Sequence, residues 1–267
     1  MADPIFAHGL GRIPSPPDER DFAVSRLEQM IFTGAAVPVT WSDPVVLDQG
    51  QTPHCVGYGC AAFIATQEES VRADPTVTNR MAEALYAACK IVDGEPGAQD
   101  GSTVRSGAKV LKEWGVIDAY AFGSFAEGKA WVEGKGPVVV GTRWDYSMEA
   151  TDAQGFVHPD GNSAGDHCWL WHGSNDIIAD NTGRNSWGAA WGSGGDFFIG
   201  DADLQNILAD GGEILMAVKS TAPKPTPTSP TGPPAPGTSE ALVIVRAIIA
   251  ALGRVDAELQ RLLKDIT

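Results

Sequence analysis

The sequence predicts an α+β protein with a helical lobe, an antiparallel β-rich lobe and a C-terminal coiled-coil helix. Three observations predict it. Apolar residues recur at helical spacing between about residues 53 and 114, as at Met81, Leu85, Ala88 and Ile91. After Gly115 the pattern changes to short β-branched and aromatic runs bounded by turn residues, such as Val138-Val139-Val140 and Trp169-Leu170-Trp171. Beyond Ala222 come seven prolines before Gly237, and then a regular apolar heptad. Helices first and strands afterwards place the two kinds of structure in separate lobes meeting at a cleft.

A chain of 267 residues, 43% hydrophobic and carrying eight tryptophans, can bury an ample core. The net charge of −15 argues against a nucleic-acid or anionic-membrane partner. No run approaches the roughly 18–20 apolar residues that a membrane span needs. Met1-Ala2-Asp3-Pro4 lacks a basic-then-apolar start, so the expectation is cytoplasmic synthesis without an export signal.

In chain order, residues 1–40 are a proline-rich arm, with a short helix expected near Val24–Phe32. The arm reads as a leader or as a strap crossing the fold. A catalytic domain is expected over 41–220. It opens with a strand over Trp41–Leu47 that Pro44 confines to an edge or bend. A turn from Asp48 to His54 leads into a helix over about 53–70, with Pro53 suited to its first turn. Further helices are expected over Asn79–Val92 and Ser106–Trp114, the latter stopped by Gly115. Strands follow over Pro137–Thr142, His167–Trp171, Asp176–Ala179, Phe197–Ile199 and Glu213–Val218, with a turn at Gly173-Ser174-Asn175. Residues 221–238 form an extended linker. The helix over 239–267 carries the seam Ala241, Val245, Ile248, Leu252, Val255, Leu259, Leu262 and Ile266. That seam suits a homo-oligomer or an assembly partner, including incorporation in a virion, although Gly253 costs about 1 kcal/mol of helix stability.

The chemistry centres on Cys55, placed where a turn becomes a helix. There the unpaired N–H groups and the positive end of the helix dipole favour a thiolate. Cys60, Cys89 and Cys168 lie in apolar runs and read as small buried hydrophobes, all reduced, with no metal and no cofactor expected. Gln49, six residues before Cys55, can return a side-chain amide over the sulfur. A thiolate needs an imidazole to hold its proton, and the imidazole needs an orienting group. Among the five histidines, His167 opens an apolar strand-like run after Gly165-Asp166 and is the best base candidate. Downstream, Asn185-Ser186-Trp187-Gly188 supplies an amide oxygen for the ring and an indole to keep water off it.

Taken together, these segments resemble the papain-like cysteine peptidases over about Trp41–Val218. Asp48-Gln49-Gly50 with Cys55 is similar to that family's glutamine and nucleophile segment. Asp166-His167 is similar to its general-base segment, and Asn185-Ser186-Trp187-Gly188 with Trp191-Gly192 to its asparagine block. Asp100-Gly101-Ser102 and the helix to Trp114 resemble the stretch that pairs with substrate backbone, and Gly136–Val140 its first strand of the β-rich lobe. The resemblance implies a papain-like two-lobed fold hydrolysing peptide bonds of a protein or peptide substrate. Cys55 would be the nucleophile, His167 the base, Asn185 its orienter and Gln49 the oxyanion donor. Gly101, Ser102, Asp166 and Trp187 would bind substrate. The chain departs from the family at Val56, where an aromatic residue is usual, and at Thr52, where a cysteine often forms a disulfide. His54 stands where a small residue is common, and the N-terminal arm is shorter than the family's helical propeptide. Two other readings stand beside this one. One is an inert papain-fold module of a larger assembly. The other is a different thiol acyl transfer, such as peptidoglycan-peptide hydrolysis or transamidation.

Overall fold

The alternation of side chains along three neighbouring strands divides the protein into two cores. A computed structural model describes residues 7–16, 38–94, 100–175 and 177–221. Its elements are β1 (Val39–Thr40), α1 (Cys55–Ala65), α2 (Asn79–Val92), α3 (Val104–Glu113), β2 (Ile117–Phe122) and α4 (Phe125–Gly134). There follow β3 (Val138–Asp145), a 3-10 turn over Tyr146–Glu149, β4 (Ser163–Asn175), β5 (Asp180–Arg184), β6 (Asp196–Gly200), α5 (Asp201–Ala209) and β7 (Glu213–Lys219). The strands pair antiparallel in the order β2-β7-β3-β4-β5-β6, with β1 added to β4.

Val139 of β3, Cys168 and Leu170 of β4, and Leu215 and Ala217 of β7 face the helices, packing with Phe63, Leu85, Cys89 and Leu111. Their neighbours Val138, Val140, Trp169, Trp171, Ile214 and Met216 face a second core with Trp131, Trp144, Phe197, Ile199 and Leu204. Successive strand residues point to opposite faces, so this central part of the sheet is apolar on both. That is why Pro137–Thr142 reads as a continuous β-branched run rather than an alternating one.

Every residue of α1 is buried. Its Gly57 lets the helix press on α2: an added Cβ would fall 2.4 Å from the Ala82 carbonyl oxygen and 2.7 Å from the Tyr86 Cβ. The helix stops at Thr66, whose backbone is extended. Thr103 caps α3 by accepting from the Ser106 N–H, and Ser124 with Glu127 closes a capping box on α4.

The expected helix over Asn79–Val92 is present with those bounds. The strand expected over Trp41–Leu47 is not. The chain pairs instead at Val39–Thr40, with Gly173 and Ser174 opposite, and then runs irregularly through Pro44. The turn expected at Gly173-Ser174-Asn175 is strand, because β1 and β5 both pair with those residues. Ile177, Ile178 and Ala179 form the turn, and the following strand is Asp180–Arg184. Strand β2 and helices α4 and α5 were not foreseen; α4 contains two glycines that mask its periodicity, and the capping box is the signal that would have found it. The helix expected near Val24–Phe32, the linker from 222 and the heptad helix lie outside the described residues. No helix among the described residues is long and apolar enough to cross a membrane.

Candidate active site

The turn before α1 is fixed by its own polar groups and by the segment after β5. The Asp48 carboxylate accepts from the Gly50 N–H at 2.8 Å, and Gly50 has a φ of 58°, a left-handed conformation that glycine adopts without strain. Thr52 donates from its N–H and its hydroxyl to the Gln49 carbonyl. The Gln49 N–H donates to the Ser186 carbonyl at 2.8 Å, and Asp48 bridges to Trp187. Gln49 is thereby held in the interior. Its Oε1 accepts from the Ser186 hydroxyl at 2.5 Å, which turns Nε2 forward. That nitrogen donates to the Thr52 carbonyl at 2.7 Å and to the Gly9 carbonyl at 3.0 Å.

Strand β4 carries His167, and β5 delivers Asn185 directly after its last residue, Arg184. The Asn185 Oδ1 accepts from the Ser186 N–H at 2.7 Å, which identifies it as the amide oxygen. His167 Nε2 lies 2.8 Å from the same oxygen, so the ring donates there and carries its proton on Nε2. Nδ1 is buried without a hydrogen-bond partner among the described residues. The ring is packed by Trp187, stacked at 5.0 Å, and by Trp144, edge-on at 5.0 Å. Arg184 braces this corner by donating to Asp196 at 2.5 Å and to the Val45 carbonyl at 2.5 Å.

Cys55 opens α1, and the backbone of Cys168, the residue after His167, favours its ionised form. Helix α1 and strand β4 share one core, with Cys55 and Cys168 both in it. All four cysteines are free and buried.

Sequence reasoning expected an ionised Cys55, and the structure corrects this. Burial pushes the Cys55 thiol up to about 12, outweighing the helix end and the Arg12 charge, and burial likewise lowers His167 to about 4. Both groups are neutral in this state.

A strap lies over the turn and beside Trp187. Residues 8–13 run through the groove between Gly101-Ser102 on one side and Trp187 on the other. The His8 ring stacks on Trp187 at 4.5 Å, and the Trp187 indole N–H donates to the Gly9 carbonyl at 3.3 Å. The Gly11 and Arg12 N–H groups donate to the Asp166 carbonyl, while the Gly11 carbonyl accepts from the Ser102 N–H at 2.9 Å. The Ile13 N–H then donates to the Ser102 carbonyl at 2.7 Å. Gly9 and Gly11 pass so close to the turn that a Cβ on either would fall 2.0 Å and 2.1 Å from the Thr52 and Pro53 carbonyl oxygens. The Arg12 guanidinium is buried against Asp166, Glu213 and the Gly211 carbonyl.

The structure links Gln49, Ser186, Asn185 and His167 through one run of hydrogen bonds, and Cys55 begins the helix that follows the Gln49 turn. It lines the groove with Gly101, Ser102, Asp166 and Trp187, each touching the strap. The sequence reads the arm over 1–40 as a leader or a strap, but it singles out neither residues 8–13 as the segment that enters the groove nor Glu213, and Ser186 only as part of its block. The glycines at 9 and 11 within a proline-rich arm were the available sign that the arm passes close to another backbone.

No protein-family model and no curated protein sequence matches the chain. Solved structures do. Xylellain, a cysteine protease from Xylella fastidiosa, is similar at 18% identity, over 82% of this chain and 99% of that one, with a TM-score of 0.59. Procathepsin B S9 from Trypanosoma congolense is similar at 14% identity, over 80% and 87%, with a TM-score of 0.52. Digestive procathepsin L 3 of the Tenebrio molitor larval midgut is similar at 16% identity, over 80% and 76%, with a TM-score of 0.52. These likenesses are of backbone rather than of sequence, and they fix one thing: the fold of this chain is papain-like.

Proposed function

We propose that the chain is a cysteine peptidase whose own N-terminal strap lies in the substrate groove. The observation that carries this reading is the Gly9 carbonyl held by the Gln49 amide while the flanking strap residues pair with Ser102 and Asp166. A peptide backbone thus occupies the groove, with a carbonyl on the amide donor expected to stabilise an oxyanion. The fold, shared with proteins named as cysteine proteases, adds support.

In the proposed reaction a peptide replaces the strap and His167 Nδ1 takes the Cys55 proton. The sulfur attacks the scissile carbonyl carbon, and the negative charge moves to its oxygen, met by the Gln49 amide and the Cys55 N–H. Such donors are each worth roughly 10²–10³ in turnover. The intermediate collapses as the C–N bond breaks, and His167 gives its proton to the leaving amine. A thioester remains. Water, its proton drawn off by His167, attacks the thioester, and the carboxylate product and the free thiol are released. Asn185 keeps the Nε2 proton in place throughout, so Nδ1 is always the working nitrogen.

Epoxide labelling followed by peptide mapping, together with a peptide-library cleavage assay, tests the reading. Cys55 should be modified selectively in a chain whose strap has been displaced by Gly11→Val, and peptides should be cleaved. Labelling that favours Cys60, Cys89 or Cys168 over Cys55 would overturn it.

A further inference from the structure

We infer that His172 is a positioning residue of this site: as a buried imidazolium it joins Trp41, Asp196 and Arg184 into one network that holds Asn185 against His167 and anchors the segment leading to Gln49. The inference rests on the peptidase reading.

His172 lies on β4, five residues beyond His167, and is 2% exposed. Its Nδ1 is 3.0 Å from the Trp41 carbonyl oxygen, and its Nε2 is 3.2 Å from the Asp196 Oδ1. Neither partner can donate. A carbonyl oxygen only accepts, and Asp196 is ionised. Burial alone would raise its carboxyl, but the hydrogen bonds and charges of His172 and Arg184 hold it below its ordinary range. A neutral imidazole has one N–H and would set its lone pair against one of the two oxygens. The ring satisfies both by carrying both protons.

The surrounding charges agree with this. Among the described residues, His172 of β4 shares a corner with Arg184 of β5, Asp196 of β6 and Asp43 of the irregular segment after β1. Burial pulls Asp43 above its ordinary range, and the Arg184 and His172 charges act against that. With His172 protonated, two cations meet two carboxylates. With it neutral, one negative charge is left over in a largely buried corner, which is costly.

The network grips the site twice. Asp196 Oδ1 also accepts from the Arg184 Nε at 2.5 Å, and Arg184 immediately precedes Asn185. The Asn185 N–H in turn donates to the carbonyl of Gly195, the residue before Asp196, at 2.9 Å. From that footing the Asn185 Oδ1 reaches His167. On the other side, the Trp41 N–H donates to the His172 carbonyl at 2.8 Å, so His172 and Trp41 exchange two hydrogen bonds. Arg184 Nη1 donates to the Val45 carbonyl at 2.5 Å. These bonds pin residues 41–45, which run on through Leu47 to the Gln49 turn.

The first measurement needs no reaction. In the full chain labelled with nitrogen-15 histidine, near neutral pH, the His172 ring should show a proton on both nitrogens by NMR. Its signals are assigned by their loss in His172→Gln or, should that variant not fold, by their shift in Asp196→Asn, which should return the ring to its neutral form. One bare ring nitrogen on His172 in the parent chain would overturn the inference. The second measurement reads the site itself: the His167 Nε2 proton should exchange with solvent roughly tenfold faster in His172→Gln. The third uses a chain whose strap is displaced by Gly11→Val. There His172→Gln should lower kcat on peptides roughly tenfold or more, with KM changed by less than about threefold. Adding Asp196→Asn removes the uncompensated carboxylate and should recover most of that loss, whereas a merely structural histidine would give losses that add. An unchanged His167 proton, an unchanged kcat, or additive losses would overturn the positioning role. If no peptide is cleaved and Cys55 resists an epoxide, the peptidase reading fails. The ring spectrum and the His167 exchange rate then still decide whether His172 is charged and holds Asn185.

Discussion

The Gln49 side-chain amide donates to the carbonyl of Gly9, forty residues earlier in the chain, at 3.0 Å. One hydrogen bond thus ties the turn before the nucleophile candidate to the strap that covers it, and the consequences of removing the strap can be stated.

Substituting Gly11 or Gly9 with valine should expel the strap, because any Cβ there meets backbone oxygen that cannot move aside. Epoxide modification of Cys55 should then accelerate by roughly tenfold or more, as opening the groove restores water and lowers the thiol from about 12. The global unfolding midpoint should fall only slightly, since the two cores hold no strap residue beyond Leu10 packed at an edge. An unchanged modification rate would show that the strap does not control access to the thiol.

Asn185→Ala leaves a buried imidazole N–H with nothing to accept it. The stability loss should be about 1–3 kcal/mol by chemical denaturation. In a strap-released chain kcat should drop more than KM changes, because the ring loses its tautomer and its plane rather than its place. Aspartate at the same position keeps the acceptor and should restore most of the stability.

Ser186→Ala removes the hydroxyl that fixes the Gln49 amide oxygen at 2.5 Å. With the fold otherwise intact, kcat in a strap-released chain should fall several-fold, by analogy with other losses of a positioning group at an oxyanion donor. Gln49→Ala should fall further, and the two losses should not add, since they act through one amide.

Acid should destabilise the closed form through His167. Its ring titrates near 4 when buried and at 6.5 when unfolded, so as pH falls the unfolded chain takes up the proton first. The stability from keeping the ring neutral is complete above pH 6.5 and lost between 6.5 and 4, about 3 kcal/mol in all. Glu68 acts in the opposite sense: burial raises it to about 7, so its contribution declines as pH rises from 4.5 to 7. The measurement is therefore the difference in urea midpoint between the parent chain and His167→Gln across pH 4–7. The two profiles should converge toward acid, and parallel profiles would refute the assignment.

Arg184→Leu should cost about 3–5 kcal/mol, because Asp43 and Asp196 are left facing each other in a largely buried corner. Since Arg184 immediately precedes Asn185, the same change should loosen the His167 contact. A double-mutant cycle with Asn185→Ala should show coupling of about 0.5–3 kcal/mol.

Some of this was legible in local pattern. Asn79–Val92 is helical because its apolar spacing repeats every turn, and Val138–Val140 is strand because its branched side chains suit a surface buried on both faces. The strand over Asp180–Arg184 escaped notice, since Asp, Asn, Thr and Gly carry little strand propensity and pairing with β4 and β6 decides the matter. Ile177 and Ile178 misled for the converse reason: they are β-branched but exposed in a turn.

The sequence by itself determined the mixed helical and β composition and the order Gln49, Cys55, His167, Asn185, because periodicity, caps and motif spacing are properties of neighbouring residues. Only the tertiary structure decided that His167 meets Asn185 across two strands, that Arg12 reaches Glu213 over 201 positions, and that Cys55 and His167 are neutral beneath the strap. Those outcomes depend on desolvation and on charges brought together by distant segments, and neither quantity exists until the chain has folded around them.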